Sequence, residues 1–317
     1  MNVYLTFDIE VWCNGWNNLD SVFSKNFERY IYGRSLHGAY ALPKTLEILN
    51  NSGLKGIFFV EPLFAARFGI EYLQEIVNLI RSAGQEIQLH LHPEWTDEIY
   101  PPIINDTSRK RQHLTYYTNE EQTSLIAFAK YLLEKAGSGP INTFRAGSYA
   151  ANRDTFKALN NNGILYDSSL NRCYPISAPD LRNEHEFISP FQIDGVTTFP
   201  ISVFMDGFGK ERPAQVGACS GREMESALLN AIALEMTDFV VVSHNFEMLK
   251  PDTTKPDWIV VRRFERLCRF LAAHNEIFQV GSYGEHTKSG VFQRKLPKAS
   301  FTSTLNRHYE QLIRRLG

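Results

Sequence analysis

No stretch of the 317-residue chain keeps the roughly eighteen consecutive apolar residues that a membrane-spanning helix requires. No basic region followed by an apolar core opens it, and strand-like alternation begins within the first few residues; the expectation is a cytoplasmic protein without a leader. Cysteine is scarce. The four, at 13, 173, 219 and 268, show no CxxC spacing, which argues against a zinc ribbon or a disulfide framework and for reduced thiols. An excess of one charge is also missing: 33 basic residues face 35 acidic ones, a formal net charge of −2, so nothing suggests nucleic acid or an acidic membrane as a partner. Internal repeats and low-complexity stretches are absent too. What remains, 43% hydrophobic and 21% charged, is a soluble chain able to bury a full core.

What the chain does have is a regular alternation of strand and helix patterns. Val3, Leu5, Phe7 and Ile9 alternate with Tyr4, Thr6, Asp8 and Glu10, a period of two that predicts a first strand. Residues i and i+2 of a strand share a face, so Asp8 and Glu10 emerge together at its end. Two adjacent carboxylates repel each other unless a cation or a proton intervenes, which implies a metal or a catalytic division of labour; the alternative is a polar strand end. Seven more strands are expected near 55–60, 85–92, 141–145, 164–167, 197–200, 239–243 and 277–280. Helices are expected between them, with Asn152 capping one. The segment 13–40 reads as a long functional loop, 171–195 as irregular, and the tail as a basic amphipathic helix bearing Leu305, Tyr309, Leu312 and Leu316, able to dock on the barrel or on a partner. Strands separated by helices in one register predict an α/β fold closed as a (β/α) barrel of seven or eight strands, spanning residues 1–286 and followed by a tail at 287–317.

Such barrels carry their chemistry at the C-terminal ends of the strands. There this chain places Asp8 and Glu10, then His90-Leu-His92-Pro-Glu94, Arg145-Ala-Gly-Ser148-Tyr149, Tyr166-Asp167-Ser-Ser-Leu170 and Val242-Ser-His244. His90 and His92 share one strand face. With a carboxylate they make a plausible open zinc-type site, although a purely structural histidine pair has the same pattern. Arg145 also reads as a surface ion pair, Asp167 as a turn residue and His244 as the neighbour of a helix start.

Taken in order, these stations resemble the motifs of the polysaccharide deacetylases, the NodB-like carbohydrate esterase family 4, over about residues 2–285. The resemblance implies a distorted TIM-like barrel of the NodB homology fold and a metal-dependent hydrolase that removes an N-acyl, chiefly N-acetyl, group from an amino sugar. It casts Asp8 as general base, Glu10 as metal ligand, the histidines as metal ligands, Arg145 as the residue orienting the base and His244 as general acid. The wording His-Leu-His-Pro-Glu-Trp is similar to a branch associated with lipopolysaccharide and surface-glycan biosynthesis.

The chain departs from the family pattern in three places. The second histidine of the usual motif stands four residues after the first, where this chain has Glu94; the metal set is therefore Glu10, His90 and His92, or Glu10, His90 and Glu94. The unbroken alternation of Ile87, Leu89 and Leu91 up to Pro93 favours the histidine pair. Glu10 stands where an aspartate is usual, and Gly147 where a proline is common. The implied cofactor is one divalent ion, zinc first, then nickel or cobalt. In the implied mechanism a backbone N–H near Ser148 or Tyr149 holds the oxyanion. Asp167 stands with the substrate-side residues, and Trp12 and Trp16 either stack on sugar rings or fill the core. Two other readings stay open: hydrolysis of a non-sugar amide, and an inactive glycan-binding relative.

Overall fold

The computed structural model describes residues 1–284 and 295–316. In chain order, β1 (Asn2–Ile9) leads through α1 (Leu19–Phe27), a π-helical turn (Glu28–Tyr32) and the hairpin β2 (Arg34–Ser35) and β3 (Gly38–Ala39) into α2 (Leu42–Asn51). Then come β4 (Ile57–Val60), α3 (Ala65–Phe68), α4 (Ile70–Ser82), β5 (Glu86–Leu91), α5 (Asn119–Ala136), β6 (Thr143–Ala146), α6 (Arg153–Asn161) and β7 (Tyr166–Asp167). The chain continues with β8 (Phe191–Ile193), β9 (Val196–Thr198), the hairpin β10 (Val203–Met205) and β11 (Glu211–Pro213), α7 (Gly221–Ala233), β12 (Asp238–His244), α8 (Trp258–Ala273), β13 (Gln279–Val280) and α9 (Phe301–Leu316). Each expected strand is present within a few residues of its expected place.

Two compact units share these elements. The first comprises residues 1–56, 203–282 and those from 295 on. In it β1 runs parallel to β12, with Phe7 opposite Ser243 and Asp8 opposite His244, and β13 pairs with the start of β1. From Val3 onward β1 is buried on both faces, Tyr4 and Thr6 included, as a parallel strand covered on either side must be. Phe7 meets Phe264 of α8 edge to face at 5.5 Å. Helix α9 packs through its polar side: Ser303, Thr304 and Arg307 are buried, and Arg307 bonds Glu223 and Asp206. Leu305, Tyr309 and Leu312, of the apolar stripe expected to dock on the barrel or on a partner, are exposed, since the buried ion pairs turn the polar face inward; the Leu316 side chain lies outside those described. The expected boundary at 286/287 lies outside the described residues.

The second unit comprises residues 57–202 and 283–284 among those described. Its strands follow the order β4-β5-β6-β7-β9, all parallel, with β8 antiparallel on β9. Helix α4 buries Leu73, Ile76, Val77 and Ile80, the face expected from the sequence. Asn152 caps α6 by accepting the Thr155 N–H at 3.0 Å.

Two segments differ from expectation. The loop expected at 13–40 contains α1, because Leu19, Phe23 and Phe27 recur every four residues and are all buried, so these aromatics are helix core. The irregular segment ends in the β8–β9 hairpin, whose turn residues Asp194 and Gly195 have φ of 47° and 86°. Asp-Gly is the signature of that two-residue turn.

Candidate active site

The parallel register of β1 and β12 sets Asp8 beside His244, with His244 Nε2 3.9 Å from Asp8 Oδ2. On its far side the imidazole meets Glu247, Nδ1 to Oε1 at 3.0 Å. Burial disfavours the charged ring, but the Glu247 hydrogen bond and the charges of Glu10, Glu247 and Asp8 outweigh it and raise His244 to about 9. Asp8, Glu10 and His244 each offer a ligand atom, and the three atoms lie within 4.8 Å of one another. Trp12 donates its indole N–H to Glu10 Oε2 at 2.5 Å, so its polar edge is spent on that carboxylate. Asn245 fixes the Glu10 backbone from both sides: its Oδ1 accepts the Glu10 N–H and its Nδ2 donates to the Glu10 carbonyl. Trp16 lies half-buried just before α1.

In the second unit β5 turns Gln88, His90 and His92 to one side. Gln88 Oε1 accepts the backbone N–H groups of Asn142 and Thr143, so it ties β5 to the start of β6. His90 stands opposite Arg145 in the β5–β6 ladder, and its Nδ1 lies 2.8 Å from the Arg145 carbonyl. A carbonyl only accepts, so that nitrogen carries the proton of this bond. His92 Nδ1 faces Glu94 Oε2 at 3.3 Å, within the turn that Pro93 begins. A carboxylate or carbonyl on Nδ1 is the arrangement that orients a histidine ligand for a metal. His90 and His92 are buried, with ring centroids 4.9 Å apart.

Beyond β6, Gly147 passes so close to His92 that a Cβ there would lie 2.6 Å from the ring. The missing proline thus has a steric cause. Ser148 and Tyr149 follow with φ of 55° and 57°, two successive non-glycine residues in the left-handed region, strain of the kind stored at functional sites. Arg145 is fully buried; it donates to the carbonyl and hydroxyl of Ser168, and its guanidinium lies 4.2 Å from the Phe59 ring centroid. Asp167 is equally buried and accepts from Thr198 Oγ1 at 2.7 Å and from both the N–H and the hydroxyl of Ser169. Burial pushes its carboxyl up despite those donors. Ser169 Oγ in turn accepts the Ala146 N–H.

Sequence reasoning missed three residues here. Glu247 was passed over because a carboxylate three residues past a histidine resembles an ordinary turn acid, and Asn245 because a backbone clamp leaves no pattern. Glu61 follows β4 directly; it is buried, accepts the Leu63 N–H at 2.8 Å, leaves its other oxygen without a partner and is raised by burial to about 8. An acid between a wholly apolar strand and Pro62 was its one available signal.

No protein-family model matches the sequence, and no curated protein does. Solved structures do match. A candidate polysaccharide deacetylase from Mycobacterium smegmatis is 18% identical with a TM-score of 0.57, over 93% of this chain and 94% of that one. A 4-alpha-glucanotransferase from Thermococcus litoralis is 16% identical with a TM-score of 0.55, over 96% of this chain but 42% of that one. A family 4 carbohydrate esterase from Streptomyces lividans, in complex with acetate, is 14% identical with a TM-score of 0.46, over 92% and 98%. At these identities the likeness shows the fold, a distorted (β/α) barrel of the NodB type with a parallel-rich sheet and surrounding helices.

Proposed function

We propose that the chain is a metal-dependent N-deacetylase of the polysaccharide deacetylase kind, acting on an N-acylated amino sugar of a surface glycan or its precursor. The observation that carries the reading is the histidine pair: His90 and His92 are buried, their ring centroids lie 4.9 Å apart, and the Nδ1 of each meets an oxygen. Together with the Glu10 carboxylate, which the family resemblance casts as a ligand, this pair would suit one divalent ion, zinc first and nickel or cobalt next. When bound, such an ion polarises the acyl carbonyl and acidifies water.

The chain's own residues do the rest. Asp8 takes the proton of the attacking water. His244 delivers a proton from Nε2 to the leaving amine, each role being worth on the order of 10²–10⁴-fold. Arg145 orients Asp8, and the N–H groups of the strained turn at Ser148 and Tyr149 receive the oxyanion. Asp167 serves this turn through Ser169, whose hydroxyl it holds while that oxygen accepts the Ala146 N–H. Trp12 steadies Glu10, and Trp16 stands at the sugar side. The C-terminal tail is read as a helix packed on the barrel or on a partner. Glycosyl transfer is the second reading, since the glucanotransferase matches with a similar TM-score. The histidine pair favours the deacetylase, because transfer between sugars needs two carboxylates and no metal. The cytoplasm suits the chain: none of the four cysteines is in a disulfide, and no helix among the described residues is long and apolar enough to cross a membrane.

The test is acetate release from a panel of N-acetylated sugars and nucleotide sugars, set against small non-sugar amides and a maltooligosaccharide transfer assay. Chelation should abolish acetate release and added zinc, cobalt or nickel should restore it. Full activity in metal-free protein, or transfer without deacetylation, would sink the proposal.

A further inference from the structure

Four donors converge on the carboxylate of Glu247. Oε1 accepts from His244 Nδ1 at 3.0 Å and from the Gln215 side chain; Oε2 accepts from Ser243 Oγ at 3.0 Å and from the Gly217 N–H at 2.7 Å. A carboxyl that only accepts, at both oxygens, is ionised and cannot turn. It therefore fixes the proton of His244 on Nδ1 and aims Nε2 toward Asp8. Gly217 is what lets the backbone approach, since a Cβ there would lie 2.7 Å from Glu247 Oε2.

The support runs outward from that glycine. Its carbonyl accepts from Arg263 Nη1 of α8 at 2.9 Å, and the Nε of this buried arginine donates to Glu310 Oε2 of α9 at 2.7 Å. Arg314, one turn further along α9, bonds Asp257, the N-cap of α8, and reaches the same Gly217 carbonyl. Glu310, Arg263, Gly217, Glu247 and His244 thus form one continuous chain of short polar contacts, all within the first unit.

We propose that Glu247 is the positioning residue of His244 and that helix α9 belongs to its support through Glu310, Arg263 and Gly217. The proposal rests on the reading of His244 as proton donor. A positioned donor matters for an amine leaving group, which cannot depart as an anion; it matters little for an aryl acetate ester, whose phenolate departs unprotonated. The full-length, zinc-loaded protein and its Glu247→Gln and Glu310→Gln variants should be compared on an N-acetylated sugar and on 4-nitrophenyl acetate. Glu247→Gln should lower kcat on the amide by about 100-fold, the low end of an acid's contribution, and change ester turnover by less than about threefold. Glu310→Gln should show the same selectivity with a smaller loss, about threefold on the amide. Equal losses on both substrates would overturn the role of Glu247, and an unchanged Glu310→Gln would overturn the part assigned to α9. A second readout needs no turnover. The Nδ1 proton of His244, assigned by its absence in His244→Ala, should give a downfield NMR signal in the wild type that disappears in Glu247→Gln and exchanges faster in Glu310→Gln. Its absence from the wild type would refute the positioning claim, whereas its presence in a protein that cleaves no amide would refute the deacetylase reading alone.

Discussion

Asp8 and His244 are register partners in a parallel ladder, and their side chains approach to 3.9 Å, Oδ2 to Nε2. The proposed base and acid therefore sit one strand spacing apart, about 4.8 Å between backbones. That distance is fixed by the β1–β12 hydrogen bonds rather than by a loop. Water attack and amine departure occur at one carbon, so both proton transfers must be served from a single small volume. Asp8→Asn should keep fold and metal while losing at least about 100-fold in turnover, measured as acetate release.

The metal set has its own test. His92→Ala should empty the site by elemental analysis. Glu94→Gln should retain metal and weaken its affinity by about 10-fold, because Glu94 touches His92 Nδ1 and only orients the ring. Metal-free Glu94→Gln with metal-loaded His92→Ala would move the ligand to Glu94.

Gly147→Ala asks whether the close pass beside His92 is required. The new Cβ would start 2.6 Å from the ring, and overpacking of this kind costs about 1–3 kcal/mol. The expected outcome is a Tm lowered by several degrees and zinc affinity lowered more than stability, read by competition with a chromogenic chelator. Unchanged affinity would show that the His92 ring moves aside freely.

The raised His244 predicts a pH profile with a defined sign. A group lifted from 6.5 to about 9 stays protonated across that window, so as an acid it remains competent there and its loss marks the basic limb of kcat/KM. Part of the lift comes from Glu10, and a bound cation cancels that part, placing the limb of the loaded enzyme between the two values. In metal-free protein the same shift stabilises the fold fully below pH 6.5 and is lost as pH rises through about 9, which denaturation at a series of pH values would register. Glu247→Gln should move both features to lower pH.

Arg145→Lys should fail to substitute. The guanidinium is fully buried, bonds both oxygens of Ser168 and lies over Phe59, a planar fork that an ammonium cannot reproduce. Turnover should fall at least about 10-fold with metal retained, alongside about 1–3 kcal/mol of lost stability from unsatisfied partners. Loss of metal would make its role structural alone.

The strand-and-helix frame was legible because period-two and period-3.6 patterns survive in single segments, as in β5 and α4. Residues 19–27 were misread because Phe23 and Phe27, taken with the polar neighbours, resembled a decorated loop; only the spacing Leu19-Phe23-Phe27 betrays the helix. The stations Asp8, Glu10, His90, His92 and His244 were legible because strand ends announce polar residues after apolar runs. Partners such as Glu247, Gly217 and Asn245 were not, because hydrogen bonds made after the chain folds leave no periodic trace. Helix α9 was read as amphipathic, but the buried pairs of Arg307 with Glu223 and Asp206 could not be anticipated from one strand of text.

The bond from the Trp12 indole to Glu10 has an optical consequence. An indole emits according to the charge and polarity around its ring nitrogen, and here that nitrogen touches a carboxylate proposed to receive an ion. Loading the site should therefore change the protein's intrinsic fluorescence, and Trp12→Phe should remove most of that change while the other three tryptophans remain. The molecule would carry its own gauge of occupancy, readable without substrate and in real time.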